Sequence, residues 1–462
     1  MCGVFGIENH KNASAVVLTG LMSLQHRGQE SAGIASYSKE HDWIRLYCGT
    51  GYVSYIFKEK DADYLRGTSA VGHVRYATAG RSGTLENVQP FVFECKHGQI
   101  ALAHNGNIAN DKQIADKLQK SGAIFAHSSD SEHIMHLIER EPGNLEGAIP
   151  PALKKLNGAF ALIFIQGEKM IGVRDPYGIR SLVLGKKGNS YILSSETIAI
   201  ELCGGKIIRD LAPGEMIVIE KGKIKKSFIY EKKKKEAVCV FEQVYFSMPA
   251  SVVNDKSVAE ARMDMGRALA RQMKGIEADV VMPVPESGLY AAMGYAKEAG
   301  IPMELGLVRN HYLGRSFIMP TQELRENIVK LKLFPIKEKI EGKRIVLIDD
   351  SLVRGTTSKK IVKLLRETGA KEIHFVLSSP KVVSPCFYGI DTPTKQELIA
   401  HKMTTEQMRD YMGADSLTFI TLDNMKCAAS SPKKQCTGFC SACFDGKYPT
   451  GLKLKDSTQK SC

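Results

Sequence analysis

A dense run of charged residues separates two halves of the chain whose patterns predict different folds. Residues 231–236 are a glutamate, four lysines and a second glutamate, and a run this charged is solvated and excluded from any core. The chain has 462 residues, which allows two large domains or about three smaller ones. We predict two domains, at residues 2–230 and at residues 237–462 with a cysteine-rich tail.

The first half alternates short apolar runs with glycine-rich turns. These runs predict strands at residues 159–165, 170–173, 191–194 and 216–220. Helical periodicity occurs at residues 13–24 and 131–139. Layered strands with flanking helices fit an α+β sandwich.

The second half alternates buried strands with helices. Strands are predicted at residues 279–284, 344–348 and 373–377, and helices at residues 259–273, 289–299 and 357–368. This alternation is typical of an α/β domain with a doubly wound parallel sheet, whose ligands bind at the carboxyl ends of the strands.

Composition excludes some partners. No apolar stretch approaches the ~18 residues of a membrane span, and the N-terminus lacks the pattern of a signal peptide, so we expect a cytoplasmic protein without a membrane partner. The net charge is +13, but much of the excess lies in lysine clusters at residues 221–235 and 447–460, and lysine runs of this kind are usually solvated surface. We therefore expect no nucleic-acid partner, and a basic chain also suits an anionic small substrate.

Cys2 follows the initiator Met1, so removal of that methionine would place a thiol and a free α-amine on one residue. A thiol has a pKa near ~8.5 and an α-amine near ~7.7–8.0. The amine can therefore serve as general base for the thiol, directly or through a water. The alternative is an accidental cysteine on a frayed terminus, but the apolar residues 3–7 predict a buried strand instead.

Polar clusters along the first half supply the other groups that amide hydrolysis needs. They lie at residues 25–29, 72–78, 104–107 and 128–131. Asn105 and the backbone N–H of Gly106 suit an oxyanion hole, because glycine lets the backbone come close. An arginine fork suits the carboxylate of a free amino acid, and an aspartate suits its ammonium. Taken singly, each cluster is more typical of a turn or a helix cap.

Residues 344–358 carry the most specific pattern in the chain. A buried strand ends in Asp349 and Asp350, and a turn with Gly355 opens a helix. A helix N-terminus attracts anions, while paired carboxylates suit ribose hydroxyls or Mg²⁺. The alternative is a capped helix after a strand, for which one acid would suffice. The nucleotide P-loop pattern is absent.

Cysteines number 11 and concentrate after residue 385. Cys436, Cys440 and Cys443 have a spacing typical of metal ligands, but three cysteines do not decide between zinc and an iron–sulfur cluster.

The polar clusters of the first half together resemble the glutaminase domain of class II glutamine amidotransferases, which are N-terminal nucleophile hydrolases with an αββα sandwich. The matching motifs are residues 2–7, 26–28, 73–78, 104–107, 130 and 174–180. The resemblance implies Cys2 as nucleophile and Asn105 with Gly106 as oxyanion hole. It implies that Arg27, Arg75 and Asp130 form the glutamine site, with Arg27 ordering it. Ser181 departs from the proline that commonly follows this motif.

The second half resembles the type I phosphoribosyltransferases through their phosphoribosyl pyrophosphate (PRPP) motif. The resemblance implies a PRPP site made of Asp349, Asp350, Ser351, Arg354, Gly355, Thr356, Thr357 and Ser358. It places the 5′-phosphate in the turn at residues 354–358, and Mg²⁺ at the two aspartates with Ser287, in the pyrophosphate-side loop 283–288. Residues 309–318 are expected to form a lid, the alternative being an ordinary surface loop.

Over nearly its whole length the chain resembles the glutamine PRPP amidotransferases, in their iron–sulfur branch. The implied reaction converts glutamine, PRPP and water into 5-phosphoribosylamine, glutamate and pyrophosphate, the first committed step of purine synthesis, with an enclosed path for ammonia. A [4Fe–4S] cluster is implied at Cys239, Cys386, Cys440 and Cys443, which leaves Cys436 spare. Feedback by purine nucleotides and a homotetramer are also expected.

Two other functions fit parts of the sequence. Another class II amidotransferase, acting on a sugar phosphate, would need a different acceptor domain from the one that the PRPP motif predicts. A PRPP-responsive DNA-binding regulator would fit the basic charge, but would have no use for a Cys2 glutaminase half.

Overall fold

The first half consists of two antiparallel sheets stacked face to face. The computed structural model describes residues 1–58, 61–76, 85–232, 235–310, 332–392 and 394–452. One sheet has seven strands in the order β11-β9-β10-β1-β4-β2-β3. They are β1 (Gly3–Glu8), β2 (Ser31–Ser38), β3 (Trp43–Thr50), β4 (Ser69–Arg75), β9 (Val183–Lys187), β10 (Ser190–Ser194) and β11 (Lys206–Asp210).

The other sheet has six strands in the order β13-β12-β8-β7-β6-β5. They are β5 (Phe91–Cys95), β6 (Gly98–Ile108), β7 (Gly158–Gln166), β8 (Lys169–Arg174), β12 (Glu215–Glu220) and β13 (Lys223–Ile229). Alternation along a strand places neighbouring side chains in different layers. In β1, Val4 lies in the core between the sheets, whereas Phe5 and Ile7 lie in the core against the helices outside the seven-stranded sheet.

Helices cover both outer faces of this pair of sheets. Those outside the seven-stranded sheet include α1 (Ala13–Ser23), α2 (Val53–Ile56) and α7 (Thr197–Leu202). Those outside the six-stranded sheet are α4 (Asp111–Lys120), α5 (Asp130–Arg140) and α6 (Leu145–Leu153). A further short helix is α3 (Asp61–Tyr64). The predicted αββα sandwich is confirmed.

The second half contains a four-stranded parallel sheet in the order β17-β20-β21-β22. Its strands are β17 (Val280–Pro283), β20 (Arg344–Asp349), β21 (Glu372–Leu377) and β22 (Ser416–Phe419). One face packs on α8 (Val258–Gln272), α9 (Leu289–Ala299) and α14 (Leu422–Ala429). The other face packs on α11 (Thr356–Glu367) and α13 (Thr405–Met412). The predicted strand and helix alternation is confirmed.

Short elements complete the second half. The helices are α10 (Lys337–Ile340), α12 (Ile399–Lys402) and α15 (Ala442–Asp445). The paired strands are β14 (Val238–Cys239) with β23 (Phe439–Cys440), β15 (Val252–Val253) with β16 (Lys256–Ser257), and β18 (Leu307–Arg309) with β19 (Leu333–Pro335). Within the described ranges, no helix has the length and apolarity needed to span a bilayer.

The segment that follows the charged run at residues 231–236 is hydrogen-bonded to both halves of the chain. The backbone N–H groups of Ala237 and Cys239 donate to the carbonyls of Tyr177 and Ile179 in the first half. On its other side, β14 pairs in parallel with β23 near the end of the chain. Residues 233 and 234 of the charged run lie outside the described residues.

Helices α8 and α9 cross so closely that only glycine fits at the contact. A Cβ on Gly294 would lie 1.9 Å from the carbonyl oxygen of Met263, and one on Gly266 would lie 1.9 Å from that of Ala291. Because these neighbours are backbone atoms, the helices themselves would have to move apart.

We expect Gly294→Ala to lower the free energy of unfolding by about 1–3 kcal/mol, despite the higher helix propensity of alanine. The control is Gly147→Ala in α6, where the residue is exposed and only the Asn144 side chain is near. That control should leave the melting temperature unchanged or slightly raised. Equal thermal stability of the two variants would contradict the close helix contact.

Candidate active site

Cys2 lies at the start of β1, beside the end of β4. Its side chain is nearly buried, at 8% exposure, and its Sγ lies 3.9 Å from the carbonyl oxygen of Tyr76. The carbonyl of Cys2 accepts a hydrogen bond of 3.0 Å from Nε of Arg27. Met1 is buried as well, and burial lowers the pKa of its α-amine to about 5. An amine in this environment is neutral at physiological pH, as a general base must be.

Asn105 and Gly106 lie side by side in β6. Asn105 is fully buried, yet neither Oδ1 nor Nδ2 of its side chain has a hydrogen-bond partner among the described residues. Buried amide groups without partners are rare because they cost free energy, and such a group is expected to serve a ligand. A Cβ on Gly106 would lie 2.0 Å from the carbonyl oxygen of Ala159, so only glycine fits there.

Arg75 and Asp130 supply opposite charges close to the sheet ends. Arg75 is the buried last residue of β4, and Asp130 is the first residue of α5. Oδ2 of Asp130 accepts from the N–H of Ile108 at 3.0 Å, and Oδ1 lies 3.5 Å from Nδ1 of His104. Burial alone would raise the pKa of Asp130, but His104 and the Ile108 N–H outweigh it and hold that pKa below its usual value. Asp130 is therefore ionised at neutral pH.

Arg27 is fully buried and its guanidinium contacts protein groups. Besides the Cys2 carbonyl, it binds Glu196 at 2.5 Å and both carboxylate oxygens of Glu242 at 3.0 Å. Arg27 therefore contacts the Cys2 backbone and two buried carboxylates, while the ordering role that the resemblance implies stays a prediction.

A loop of the second half packs over β6, the strand that carries Asn105 and Gly106. Nδ2 of Asn107 donates to the carbonyl of Phe387 at 2.9 Å. A Cβ on Gly389, which has a left-handed φ of 104°, would lie 2.9 Å from the carbonyl oxygen of Gly106. Nε of Arg180 donates to the carbonyl of Tyr388 at 2.8 Å. The first-half site is thus completed by backbone from the second half.

The residues predicted for PRPP line one cavity of about 500 Å³ at the carboxyl edge of the parallel sheet. The predicted residues among its walls are Ser287, Asp349, Asp350, Ser351, Arg354, Gly355, Thr356, Thr357 and Ser358. Because β17 and β20 are parallel neighbours, the loops that follow them meet. Oγ of Ser287 consequently donates to Oδ1 of Asp349 at 2.9 Å.

The two acids of this cavity repel each other. Burial and the neighbouring Asp350 raise the pKa of Asp349 to about 8, and burial raises the pKa of Asp350. Such a crowded pair favours a cation. Gly355 has a left-handed φ of 77° and is the N-cap residue of α11. It lines the cavity together with Thr356 and Thr357, so the helix N-terminus also opens into the cavity.

The two sites share a wall. The carbonyl of Tyr76 contacts Cys2, and Tyr76 also lines the cavity predicted to bind PRPP. Its ring meets that of Phe246 edge-on at 6.5 Å, and Phe241 and Tyr245 lie on the same wall. Arg309 of the predicted lid lines the cavity, whereas residues 311–318 of that lid lie outside the described residues. Residues 77 and 78 of the polar cluster at 72–78 also lie outside them.

Four cysteines predicted as cluster ligands lie together between the halves. Cys239 and Cys440 are paired in neighbouring strands, and Cys443 lies in the same buried core, with Cys386 packed against it. All four are free thiols. The spare Cys436 forms a disulfide with Cys427, a pairing that the sequence analysis did not foresee. Across the described ranges, no three His, Cys, Asp or Glu side chains are arranged to hold a single metal ion.

Comparisons with known proteins match a different domain family to each half of the chain. A model of the glutamine amidotransferase domain matches residues 73–201, and one of the phosphoribosyl transferase domain matches residues 258–382. The chain is 45% identical to Amidophosphoribosyltransferase 1, chloroplastic, of Arabidopsis thaliana, over 98% of this chain and 80% of that one. It is 44% identical to the Amidophosphoribosyltransferase of Bacillus subtilis, over 98% and 94% of the two chains. The chain belongs to the amidophosphoribosyltransferase family.

Solved structures lead to the same family. The glutamine PRPP amidotransferase from B. subtilis, complexed with ADP and GMP, matches with a TM-score of 0.91 and 42% identity over 99% of both chains. A second, titled as the allosteric regulatory enzyme of purine biosynthesis, matches with a TM-score of 0.91 and 43% identity over 97% of this chain and 96% of that one.

As an amidophosphoribosyltransferase, the chain is a glutamine-dependent pentosyltransferase. It transfers the amide nitrogen of glutamine to PRPP and forms 5-phosphoribosylamine, the first step of purine synthesis. The predicted family and reaction are confirmed. The DNA-binding regulator and the sugar-phosphate amidotransferase are set aside, because the amidophosphoribosyltransferases match over both halves.

Sequence reasoning missed the acids that hold Arg27. Glu196 and Glu242 are isolated glutamates without a motif around them, so nothing in the sequence marked them. Arg180 is the last residue of the motif at residues 174–180, but its contact with Glu242 depends on the docking of the two halves.

We expect Asn105→Ala in an amidophosphoribosyltransferase assay to lower glutamine-dependent turnover by ~10²–10³-fold, the effect of losing one oxyanion donor, which is the role that the resemblance implies for Asn105. Thermal stability should hardly fall, because Asn105 makes no hydrogen bond that the variant would break. The control, Asn110→Ala, breaks hydrogen bonds with Lys155 and Asn157 and should lower stability but spare turnover. The opposite pattern would assign Asn105 a structural role.

Proposed function

We propose that Cys2, exposed by removal of Met1, is the nucleophile that attacks the side-chain amide of glutamine. Its new α-amine would take the thiol proton, in the buried environment that already lowers the pKa of the Met1 amine. Attack forms a glutamyl thioester at Sγ and releases ammonia, and water then frees glutamate. Arg27 holds the Cys2 carbonyl and so fixes the direction of attack.

Asn105 and Gly106 are proposed to stabilise the oxyanion of the tetrahedral intermediate. The observation that carries this assignment is the buried Asn105 amide without a partner, since an Nδ2 donor kept free within a protein is suited to charge that develops only during reaction. Gly106 would add its backbone N–H at a position where no side chain fits.

Arg75 and Asp130 are proposed to bind the two charged groups of glutamine. Arg75 would pair with the α-carboxylate, which suits a planar guanidinium fork. Asp130 would pair with the α-ammonium, and its lowered pKa keeps it ionised for that purpose.

The second cavity is proposed to bind PRPP. The turn at residues 354–358 would hold the 5′-phosphate at the N-terminus of α11, while Asp349 and Asp350 bind ribose hydroxyls. Asp349, Asp350 and Ser287 fit Mg²⁺, because two crowded carboxylates with raised pKa values need a cation to remain ionised together. When bound, Mg²⁺ would offset the charge of the departing pyrophosphate.

The shared aromatic wall is proposed as the route for ammonia. Tyr76 and Phe246 stand between Cys2 and the PRPP cavity. Ammonia is a nucleophile only while unprotonated, and an apolar, water-poor passage keeps it so. It would then attack C1 of the ribose as pyrophosphate leaves.

Cys239, Cys386, Cys440 and Cys443 are proposed to hold a [4Fe–4S] cluster. Four free thiols that meet at one core, three of them buried and Cys386 partly buried, match its donor set, and they need not crowd around one ion because the cluster would offer several irons. Burial and the neighbouring sulfurs raise the pKa values of Cys440 and Cys443, which makes a cationic partner the stabilising element. When bound, the cluster would cross-link β14, the loop at Cys386 and the tail.

Feedback by purine nucleotides is part of the proposal, and the B. subtilis enzyme solved with ADP and GMP supports it. The homotetramer stays a prediction that the mass in solution would test. The cytoplasmic location also stays a prediction, and the Arabidopsis relative is named chloroplastic.

Cys2→Ala should abolish turnover with glutamine and retain turnover driven by added ammonium salt, because the two chemistries use separate sites. Cys203→Ala, another buried free cysteine, is the matched control and should retain both. Mass spectrometry of the active protein should find Cys2 as the first residue. Loss of both activities in folded Cys2→Ala, or a Met1-bearing protein that hydrolyses glutamine, would contradict the assignment.

Anaerobically purified protein should be brown and contain about four irons per chain. Cys443→Ser should lose the iron, whereas the matched control Cys436→Ser should keep it, because Cys436 is paired with Cys427 instead. A colourless, zinc-containing and fully active preparation would refute the cluster.

A further inference from the structure

Glu242 comes from the second half of the chain but lies at the centre of a buried charge network of the first. Its carboxylate contacts Arg27 and Arg180, and Arg27 also contacts Glu196. All four side chains are almost completely excluded from solvent. The two arginines and two glutamates balance in charge, which such burial requires.

One arm of the network leads to the nucleophile. Oε2 and Oε1 of Glu242 accept from Nη1 and Nη2 of Arg27, both at 3.0 Å, in a two-point contact that fixes the guanidinium plane. The remaining Nε of Arg27 donates to the carbonyl of Cys2. Glu242 thus sets the orientation of the group that holds Cys2.

The other arm of the network leads to β6, which carries Asn105 and Gly106. Oε1 of Glu242 also accepts from Nη1 of Arg180 at 3.3 Å. Arg180 donates to the carbonyl of Tyr388 through Nε at 2.8 Å and Nη2 at 2.5 Å. The next residue, Gly389, packs directly on the backbone of Gly106. A shift of the Glu242 carboxylate would therefore displace both Cys2 and Gly106.

Glu242 itself is fixed from the side of the PRPP cavity. It begins the helical turn Glu242–Phe246, whose Tyr245 and Phe246 line that cavity. Ser247 closes the turn, with its Oγ donating to Oε2 of Glu242 at 2.9 Å and its N–H to the Glu242 carbonyl at 2.8 Å.

We propose that Glu242 is a positioning residue for glutamine hydrolysis, supplied by the phosphoribosyl half, which aligns Cys2 through Arg27 and Gly106 through Arg180. This inference rests on the proposed role of Cys2 as nucleophile. A misplacement of about 1 Å in a reacting group costs on the order of 10²-fold in rate, so a loosened carboxylate should show in turnover.

The test is Glu242→Gln, assayed with glutamine and with ammonium salt. The ratio of glutamine-dependent to ammonia-dependent turnover should fall by ~10²-fold, through kcat, while KM for glutamine changes little because Arg75 and Asp130 do not contact Glu242. The matched control is Glu215→Gln, which removes a buried carboxylate bound to Arg209 at 2.6 Å, away from both sites. The control should leave the ratio as in the wild type.

A second variant separates positioning from charge balance. Glu242→Gln leaves two buried arginines with one glutamate, whereas the double variant Arg180→Gln with Glu242→Gln restores neutrality. The double variant should recover thermal stability but not the ratio. Recovery of the ratio, or an unchanged ratio in Glu242→Gln, would overturn the proposal. Glutamine turnover by Cys2→Ala would instead overturn the proposed nucleophile, so the two failures are distinguishable.

Discussion

The buried ion pairs around Arg27 are the constraint on which the catalytic arrangement depends. An arginine without a compensating carboxylate is costly inside a protein, by several kcal/mol, so Arg27 and Arg180 can be buried only where acids meet them. Glu196 comes from the first half, but Glu242 comes from the second. Burial raises the pKa of Glu242, but Arg27 and Arg180 lower it by more. The carboxylate therefore stays ionised. The docked second half therefore supplies a carboxylate that both buried arginines contact.

The loop at residues 386–389 connects three features that the chain keeps apart in sequence. The Tyr388 N–H donates to Sγ of Cys386, a proposed iron ligand, at 3.3 Å. The carbonyl of the same residue accepts from Arg180, and Gly389 packs on Gly106. A cluster at Cys386 would thus stiffen the backbone that closes the glutaminase site. The proposed cluster would then have a structural role, which suits an enzyme whose reaction transfers no electrons.

Prediction from sequence succeeded where the relevant residues are neighbours in the chain. The apolar run before Asp349 predicted a buried strand, and the structure has β20 there, because a short apolar run is a local signal. The turn after it predicted an anion site for local reasons, and that site stays a prediction. The helix predicted at 289–299 has those bounds in the structure. By contrast, the disulfide between Cys427 and Cys436 was missed, since spacing alone does not distinguish a spare cysteine from a paired one.

By itself, the sequence determined an α+β half and an α/β half, because periodicity and local turn chemistry are short-range properties. Its motifs indicated the PRPP and glutaminase functions through their resemblance to known families. The tertiary structure alone decided that Glu242 reaches Arg27, that Tyr76 stands between the two sites, and that four distant cysteines share a core. These contacts join residues far apart in the chain, and their partners are chosen by the packing and charge balance of the docked halves, which no local pattern encodes.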